Sequence, residues 1–129
     1  MRTYGVAVAS LAINAPIKWT DNLLSQYEIA GVITTQRGVA RRIPHAALLL
    51  LAIARELHET LRLSVRDAVA MAPALLDGGA GAAHSGGHLR VVLDRPALER
   101  DIAARLREAL ESAPSPRRGR PPKRGATPR

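Results

Sequence analysis

The strongest constraint on the fold is an unbroken apolar run at 46–54, within a segment that starts at a proline and extends over 44–61. Proline suits the first turn of a helix, because its missing N–H would have no partner there. The segment therefore predicts a long helix. Leu49, Leu50 and Ile53 widen its apolar surface beyond a single stripe. We expect a central helix covered on several sides; the alternative is that these three residues meet a partner protein.

The charges divide the chain into a body and a tail. The 129 residues carry a net charge of +8, and six of the 19 basic residues lie in 113–129, where there is no acidic residue. Such a Pro/Arg-rich segment is expected to be a disordered basic tail. The remaining 13 basic and 11 acidic residues leave a body of ordinary charge, which is long enough for one small domain.

Several functions are disfavoured by the residues present. With no cysteine, disulfides and cysteine-based zinc sites are excluded. One Trp, two Tyr and no Phe argue against single-strand binding on aromatic platforms. The longest apolar run is far below the ~20 residues of a membrane span, and no signal peptide is evident, so we expect a cytoplasmic protein without a membrane partner. Because no catalytic order, phosphate loop or carboxylate cluster emerges, we expect no enzyme, cofactor or metal.

Two shorter segments precede the central helix. The apolar, Ala-rich segment 4–13 predicts a short helix, although periodicity alone does not separate helix from strand. After a break at Pro16, the segment 17–28 predicts a second helix, with Trp19 and Leu23 among the residues of its buried face.

Polar residues of this second helix are candidates for contacts with bases. Short polar side chains can hydrogen-bond base edges in the major groove of DNA, although they are also ordinary on a solvated helix face. The candidates are Lys18, Thr20, Asp21, Asn22, Ser25 and Gln26.

The segment 31–43 predicts a basic β-hairpin. It has β-branched residues on either side of a Gly-containing turn. Arg37, Arg41 and Arg42 place three positive charges on this projection, as in a ribbon that grips phosphates. The alternative is that these arginines pair with carboxylates of the body.

Beyond the central helix, the sequence predicts a fourth helix and then a linker. Ser64 and Asp67 start a capped helix over 64–77, which Pro73 should kink or end early. The five glycines of 78–87 predict a flexible linker.

The segment 88–112 predicts a strand at 89–94 and an amphipathic helix at 96–112. The apolar stripe of that helix contains Leu98, Ile102, Leu106, Ala109 and Leu110. A lone strand is not stable, so we expect it to pair with the hairpin or with another copy. This unit is therefore a candidate for homodimer formation; the alternative is that its helix folds back onto the central helix.

The order of these elements resembles the winged-helix DNA-binding domain of MerR-like regulators, over about residues 3–77. The resemblance rests on Tyr4, on GVARRI at 38–43, on LLLLAIAREL at 48–57 and on LSVRDAVAMA at 63–72. It implies that 17–28 is a recognition helix and that 31–43 is the wing.

The tail contains PRRGRPPKRG at 116–125, which resembles an AT-hook, a motif that binds the minor groove of A·T-rich DNA. The negative potential of that narrow groove attracts arginine, and glycine lets the backbone approach its floor. The candidate contacts are Arg117, Arg118, Gly119, Arg120, Pro121, Lys123 and Arg124. A disordered solubilising tail is the alternative.

We therefore expect a mainly α fold with a small β component. Its parts are a winged helix-turn-helix domain (1–77), a linker (78–87), a strand–helix assembly element (88–112) and a disordered tail (113–129). The expected function is double-stranded DNA binding by a nucleoid-associated transcriptional regulator. The alternatives are an antitoxin- or adaptor-like protein-interaction module and an architectural, excisionase-like protein that bends DNA.

Overall fold

The computed structural model describes residues 2–33, 40–78 and 83–112, and this part of the chain is mainly helical with two small antiparallel sheets. The helices are α1 (Val6–Ala12), α2 (Ile17–Gln26), α3 (His45–Thr60), α4 (Val65–Asp77) and α5 (Arg95–Ser112). The strands are β1 (Thr3–Tyr4), β2 (Ile43–Pro44), β3 (Ala83–Gly86) and β4 (Leu89–Val92). The predicted mainly α fold with a small β component is confirmed. None of the described helices is both long and apolar enough to cross a membrane.

Helix α3 forms the centre of the core, as its apolar run predicts. Its buried residues are Ala47, Leu48, Leu49, Leu50, Leu51, Ala52, Ile53, Ala54 and Leu57. Helix α4 packs along it, with Ala68, Ala72, Leu75 and Leu76 buried. Leu49, Leu50 and Ile53 therefore belong to the core of this chain, as expected for a central helix.

The start of the chain is a strand and not the beginning of a helix. Tyr4 pairs with Ile43 and Thr3 with Pro44 in the antiparallel register of β1 and β2. Both Tyr4 and Ile43 are buried. The prediction of a helix from residue 4 is wrong at this end, because the backbone of Tyr4 is paired with the segment that leads into α3.

Helix α4 begins as predicted but does not end early. The Ser64 hydroxyl accepts a hydrogen bond from the Asp67 backbone N–H at 3.1 Å, which confirms the predicted cap. Pro73 lies inside the helix, which continues to Asp77. Proline removes one backbone hydrogen bond, but burial of Leu75 and Leu76 beyond it favours continuation of the helix against α3.

The glycine-rich segment contains a strand, which corrects the prediction of a linker over 78–87. Strand β3 pairs with β4, from Ala83 opposite Val92 to Gly86 opposite Leu89. The predicted strand at 89–94 is observed as β4 (Leu89–Val92), and among the described residues its partner is β3 and not the segment 31–43. Gly87 adopts φ 72° in the connection, a left-handed conformation that suits glycine in a two-residue hairpin turn. Residues 79–82 lie outside the described part of the chain.

Helix α5 folds back onto the body. Its buried residues are Ile102, Leu106 and Ala109, and its main neighbour is α1, with fewer contacts to α3. Leu110 is 44 % exposed, so its place in the predicted stripe is wrong, whereas Ile102, Leu106 and Ala109 of that stripe are buried. The buried face of α5 is thus used within the chain.

Polar contacts fix the start of α5 to two other helices. Arg95 donates to the Leu76 carbonyl at 2.9 Å, near the end of α4, and to Glu99 at 3.2 Å. His45, in the first turn of α3, donates from Nε2 to the other oxygen of Glu99 at 3.3 Å. Because these groups lie on three helices, their hydrogen bonds connect the start of α5 to both α3 and α4.

Candidate nucleic-acid interface

A tight turn joins α1 to α2. Asn14 has φ 57°, in the left-handed region that asparagine tolerates better than most residues. The Ala15 N–H donates to the Ser10 carbonyl at 2.9 Å, and Pro16 occupies the N-cap position of α2. The turn residues thus set where α2 begins.

A buried hydrogen bond fastens α2 to α1. The Ser10 hydroxyl donates to Thr20 Oγ1 at 2.8 Å, and both side chains are almost completely buried. The prediction that Thr20 contacts bases is therefore wrong. The spacing of Thr20, Leu23 and Leu24, at i, i+3 and i+4, places all three on one buried face. That spacing was the sequence signal for its burial.

The predicted buried face of α2 is otherwise largely as expected. Leu23 is buried, while Trp19 and Tyr27 are half-buried against the core. The Arg55 guanidinium carbon lies 4.9 Å from the centroid of the Trp19 ring, within reach of a cation–π interaction. The aromatic side of α2 is thus held against α3.

The opposite side of α2 is exposed and polar, and we call it the α2 polar face. Lys18, Asn22 and Ser25 share one line of neighbouring positions on the helix, with Asp21 and Gln26 beside them. Five of the six predicted base-contacting side chains lie on this face: Lys18, Asp21, Asn22, Ser25 and Gln26.

Arg41 connects the predicted wing to the α2 polar face. One terminal nitrogen lies 2.6 Å from Asp21 Oδ1, and the other donates to Ser25 Oγ at 3.0 Å. Ser25 Oγ in turn donates to the Asp21 carbonyl at 2.9 Å. Of the two alternatives for Arg41, pairing with a carboxylate of the body is the arrangement observed.

Arg42 is bound to the first strand. Its Nε donates to Thr3 Oγ1 at 3.0 Å and a terminal nitrogen donates to the Thr3 carbonyl at 3.1 Å. Its backbone forms an antiparallel bridge with Ile33. The predicted hairpin is therefore present at its base, but the guanidinium of Arg42 stabilises β1 instead of projecting as a free phosphate anchor.

The remaining predicted site residues lie outside the described part of the chain. They are Arg37, Arg117, Arg118, Gly119, Arg120, Pro121, Lys123 and Arg124. Within the described ranges, no group of three or more His, Asp or Glu residues could hold a metal ion.

A groove of about 330 Å³ lies on another part of the surface, between α3, α4, β4 and α5. We call it the C-terminal groove. Its apolar lining includes Leu57, Leu61, Leu75, Val92 and Leu98. Sequence reasoning did not identify this groove, because the residues that form it are separated along the chain and meet only in the fold.

Comparison with protein-family models, with curated proteins and with solved structures found no match to this chain.

Proposed function

We propose that this chain binds double-stranded DNA as a transcriptional regulator, with α2 in the major groove. The observation that carries the proposal is the division of α2 into two faces. Thr20, Leu23 and Leu24 fix the helix to the body, while the α2 polar face is left exposed. A short helix held on one side and polar on the other suits base contacts in a groove that admits an α-helix.

The position of the hairpin base supports the same proposal. Arg41 lies beside α2, so the described base of the predicted wing is next to the proposed recognition helix. Arg37 would then add a phosphate contact. The role as a regulator comes from the resemblance to MerR-like winged-helix domains.

The tail would add a second, weaker contact in the minor groove of A·T-rich DNA. Its six basic residues and lack of acidic residues suit phosphate neutralisation and counterion release. Two modest binding sites on one chain reinforce each other through their effective concentration.

The test measures binding of the intact chain to A·T-rich and G·C-rich duplexes by fluorescence anisotropy. The measurement is repeated over a range of salt concentrations. Lys18→Gln should lose about tenfold affinity for the preferred duplex relative to the other duplex, the loss expected for one base contact. Arg66→Gln is the matched control, because Arg66 is exposed on α4. The proposal fails if the intact chain binds no duplex, or if both variants weaken binding equally.

The tail is tested in the same assay with Arg118→Ala and Arg120→Ala together. If the tail acts as an AT-hook, these changes should remove the preference for A·T-rich duplexes while leaving the sequence preference of α2 in place. A preference for A·T-rich DNA that persists in this variant would contradict the proposed role of the tail.

A protein-interaction module is the second candidate function. The observation that favours it is the exposed apolar surface near the C-terminal groove, where Leu61 is 49 %, Leu89 77 % and Val92 58 % exposed. Leu89→Ser with Val92→Ser should abolish any concentration-dependent assembly seen by sedimentation. A chain that remains monomeric at all concentrations would exclude a second copy as the partner.

A further inference from the structure

We propose that Arg41 is a positioning residue for base recognition and not a phosphate anchor. It holds Asp21 so that the carboxylate accepts a hydrogen bond from a cytosine N4 amino group in the major groove. This inference rests on the proposed function and names the base that one part of the α2 polar face would recognise.

The first support is the geometry of the guanidinium. One terminal nitrogen of Arg41 lies 2.6 Å from Asp21 Oδ1, and the other lies 3.0 Å from Ser25 Oγ. Both partners are on α2, one helical turn apart. The Arg41 guanidinium is planar and donates from two nitrogens. It therefore fixes the orientation of Asp21 and Ser25 more firmly than a single ammonium group would. The carboxylate of Asp21 is therefore oriented before DNA arrives.

The second support is the exposure of the two partners. The Arg41 side chain is 23 % exposed, whereas that of Asp21 is 53 % exposed. The charge of Arg41 is thus largely covered by the protein, while the carboxylate that it neutralises faces solvent. Among the described residues, no side chain donates to Asp21 Oδ2, so this oxygen is an available acceptor on the α2 polar face.

Electrostatics makes this arrangement consistent with DNA binding. An unpaired carboxylate on a helix facing DNA would repel the phosphates. Pairing with Arg41 removes most of that repulsion and leaves the acceptor in place. If Arg41 moved to a phosphate, Asp21 would again face the polyanion as an unpaired negative charge.

The choice of base follows from the acceptor. A carboxylate accepts hydrogen bonds and donates none when ionised, and in the major groove cytosine presents the N4 amino donor without a neighbouring acceptor on the same base. Adenine presents its amino group beside the N7 acceptor, which would repel a second carboxylate oxygen. Cytosine is therefore the base that suits Asp21.

The experiment uses the intact chain, Arg41→Ala, Arg41→Lys and Asp21→Ala. A randomised duplex pool first gives the preferred site, and each base pair is then varied while affinity is measured against salt. Asp21→Ala should lose about tenfold discrimination for cytosine at one base pair. Arg41→Ala should lose the same preference at the same pair, while the unpaired Asp21 carboxylate weakens binding to every sequence by a similar factor.

Arg41→Lys separates a positioning role from a phosphate contact. A single ammonium cannot bridge Asp21 and Ser25 as the fork does, so lysine should not restore discrimination for cytosine. A phosphate anchor would instead be restored by lysine. Arg66→Ala controls for loss of one positive charge at an exposed site on α4, and circular dichroism checks that each variant is folded.

Three outcomes would overturn the inference. One is an Arg41→Ala variant that keeps its discrimination for cytosine while its salt slope flattens by about 0.9 and recovers in Arg41→Lys. Another is an Asp21→Ala variant that binds every sequence more tightly by the same factor, which would make Asp21 only a source of repulsion. Both outcomes leave the proposed function intact. Absence of duplex binding by the intact chain overturns the proposed function and this inference together.

Discussion

Helices α2 and α3 both follow a proline, yet their surroundings differ. Every residue from Ala47 to Ala54 is buried in α3, whereas α2 buries only Thr20, Leu23 and Leu24. The buried contacts of the core are therefore centred on α3, and the proposed binding groups lie on the exposed side of α2. Substitutions in α3 should therefore change stability, and substitutions on the α2 polar face should change DNA binding.

The largest expected effect is in α3. Leu51 is completely buried, so Leu51→Ala should lower the free energy of unfolding by about 3 kcal/mol through lost burial and a residual cavity. Urea denaturation followed by circular dichroism measures the change. Leu11→Ala in α1 is the control, because Leu11 is 49 % exposed and its truncation should change stability far less. Similar losses in both variants would contradict the assignment of α3 as the centre of the core.

The next effect is at the junction of α1 and α2. Thr20→Val removes the acceptor of the Ser10 hydroxyl, and leaving this buried donor unpaired should cost about 1–2 kcal/mol of stability. Adding Ser10→Ala should recover much of the loss, because neither polar group then remains. Thermal unfolding of the single and double variants tests this. A Thr20→Val variant with unchanged stability but weaker DNA binding would mean that Thr20 contacts a base.

A smaller effect is expected on the α2 polar face itself. Asp21 is more than half exposed, so its ion pair with Arg41 should contribute less than about 1 kcal/mol to folding. A double-mutant cycle with Arg41→Ala and Asp21→Ala measures the coupling in urea. A coupling of several kcal/mol would contradict the contrast between α2 and α3, because residues of the α2 polar face would then contribute substantially to stability.

The smallest effect concerns the contact between His45 in α3 and Glu99 in α5. The hydrogen bond from His45, opposed by burial and aided by Arg95, lowers the pKa of Glu99 from its ordinary value of 4.5. Glu99 therefore stabilises the fold fully above pH 4.5, and this contribution is lost as the pH falls through the lowered pKa of the folded state. Because the side chain is 40 % exposed, solvent screening should keep it to about 0.5 kcal/mol.

Denaturation of the intact chain and of Glu99→Gln between pH 7 and pH 3 measures this contribution. The intact chain should be the more stable of the two at neutral pH, and the difference should shrink below pH 4.5. A difference that grows as the medium becomes more acidic would contradict the sign of the pKa shift.

Much of the fold was predictable because local patterns determine helices. The apolar run indicated α3, the Ser64–Asp67 spacing indicated the cap of α4, and the spacing of Ile102, Leu106 and Ala109 indicated α5. Hairpin β3–β4 was missed because its glycine content is also typical of a linker. Pairing with β4 decides between these alternatives, and a pairing partner is not a local property.

The candidate site was less predictable than the fold. A polar second helix and a basic hairpin could be identified from residue types, but the partners of Thr20, Arg41 and Arg42 could not. Each of the three forms hydrogen bonds with a residue at least ten positions away.

The sequence by itself determined where α2, α3 and α4 begin, which segments are apolar and where the positive charge is concentrated. These properties depend on propensity, periodicity and composition over a few neighbouring residues. Only the tertiary structure decided that Thr20 joins the core, that Arg42 secures β1 and that Arg41 neutralises Asp21. The physical reason is that polar side chains take the partners that folding brings within hydrogen-bond distance, and distance in space is not encoded by residue type alone.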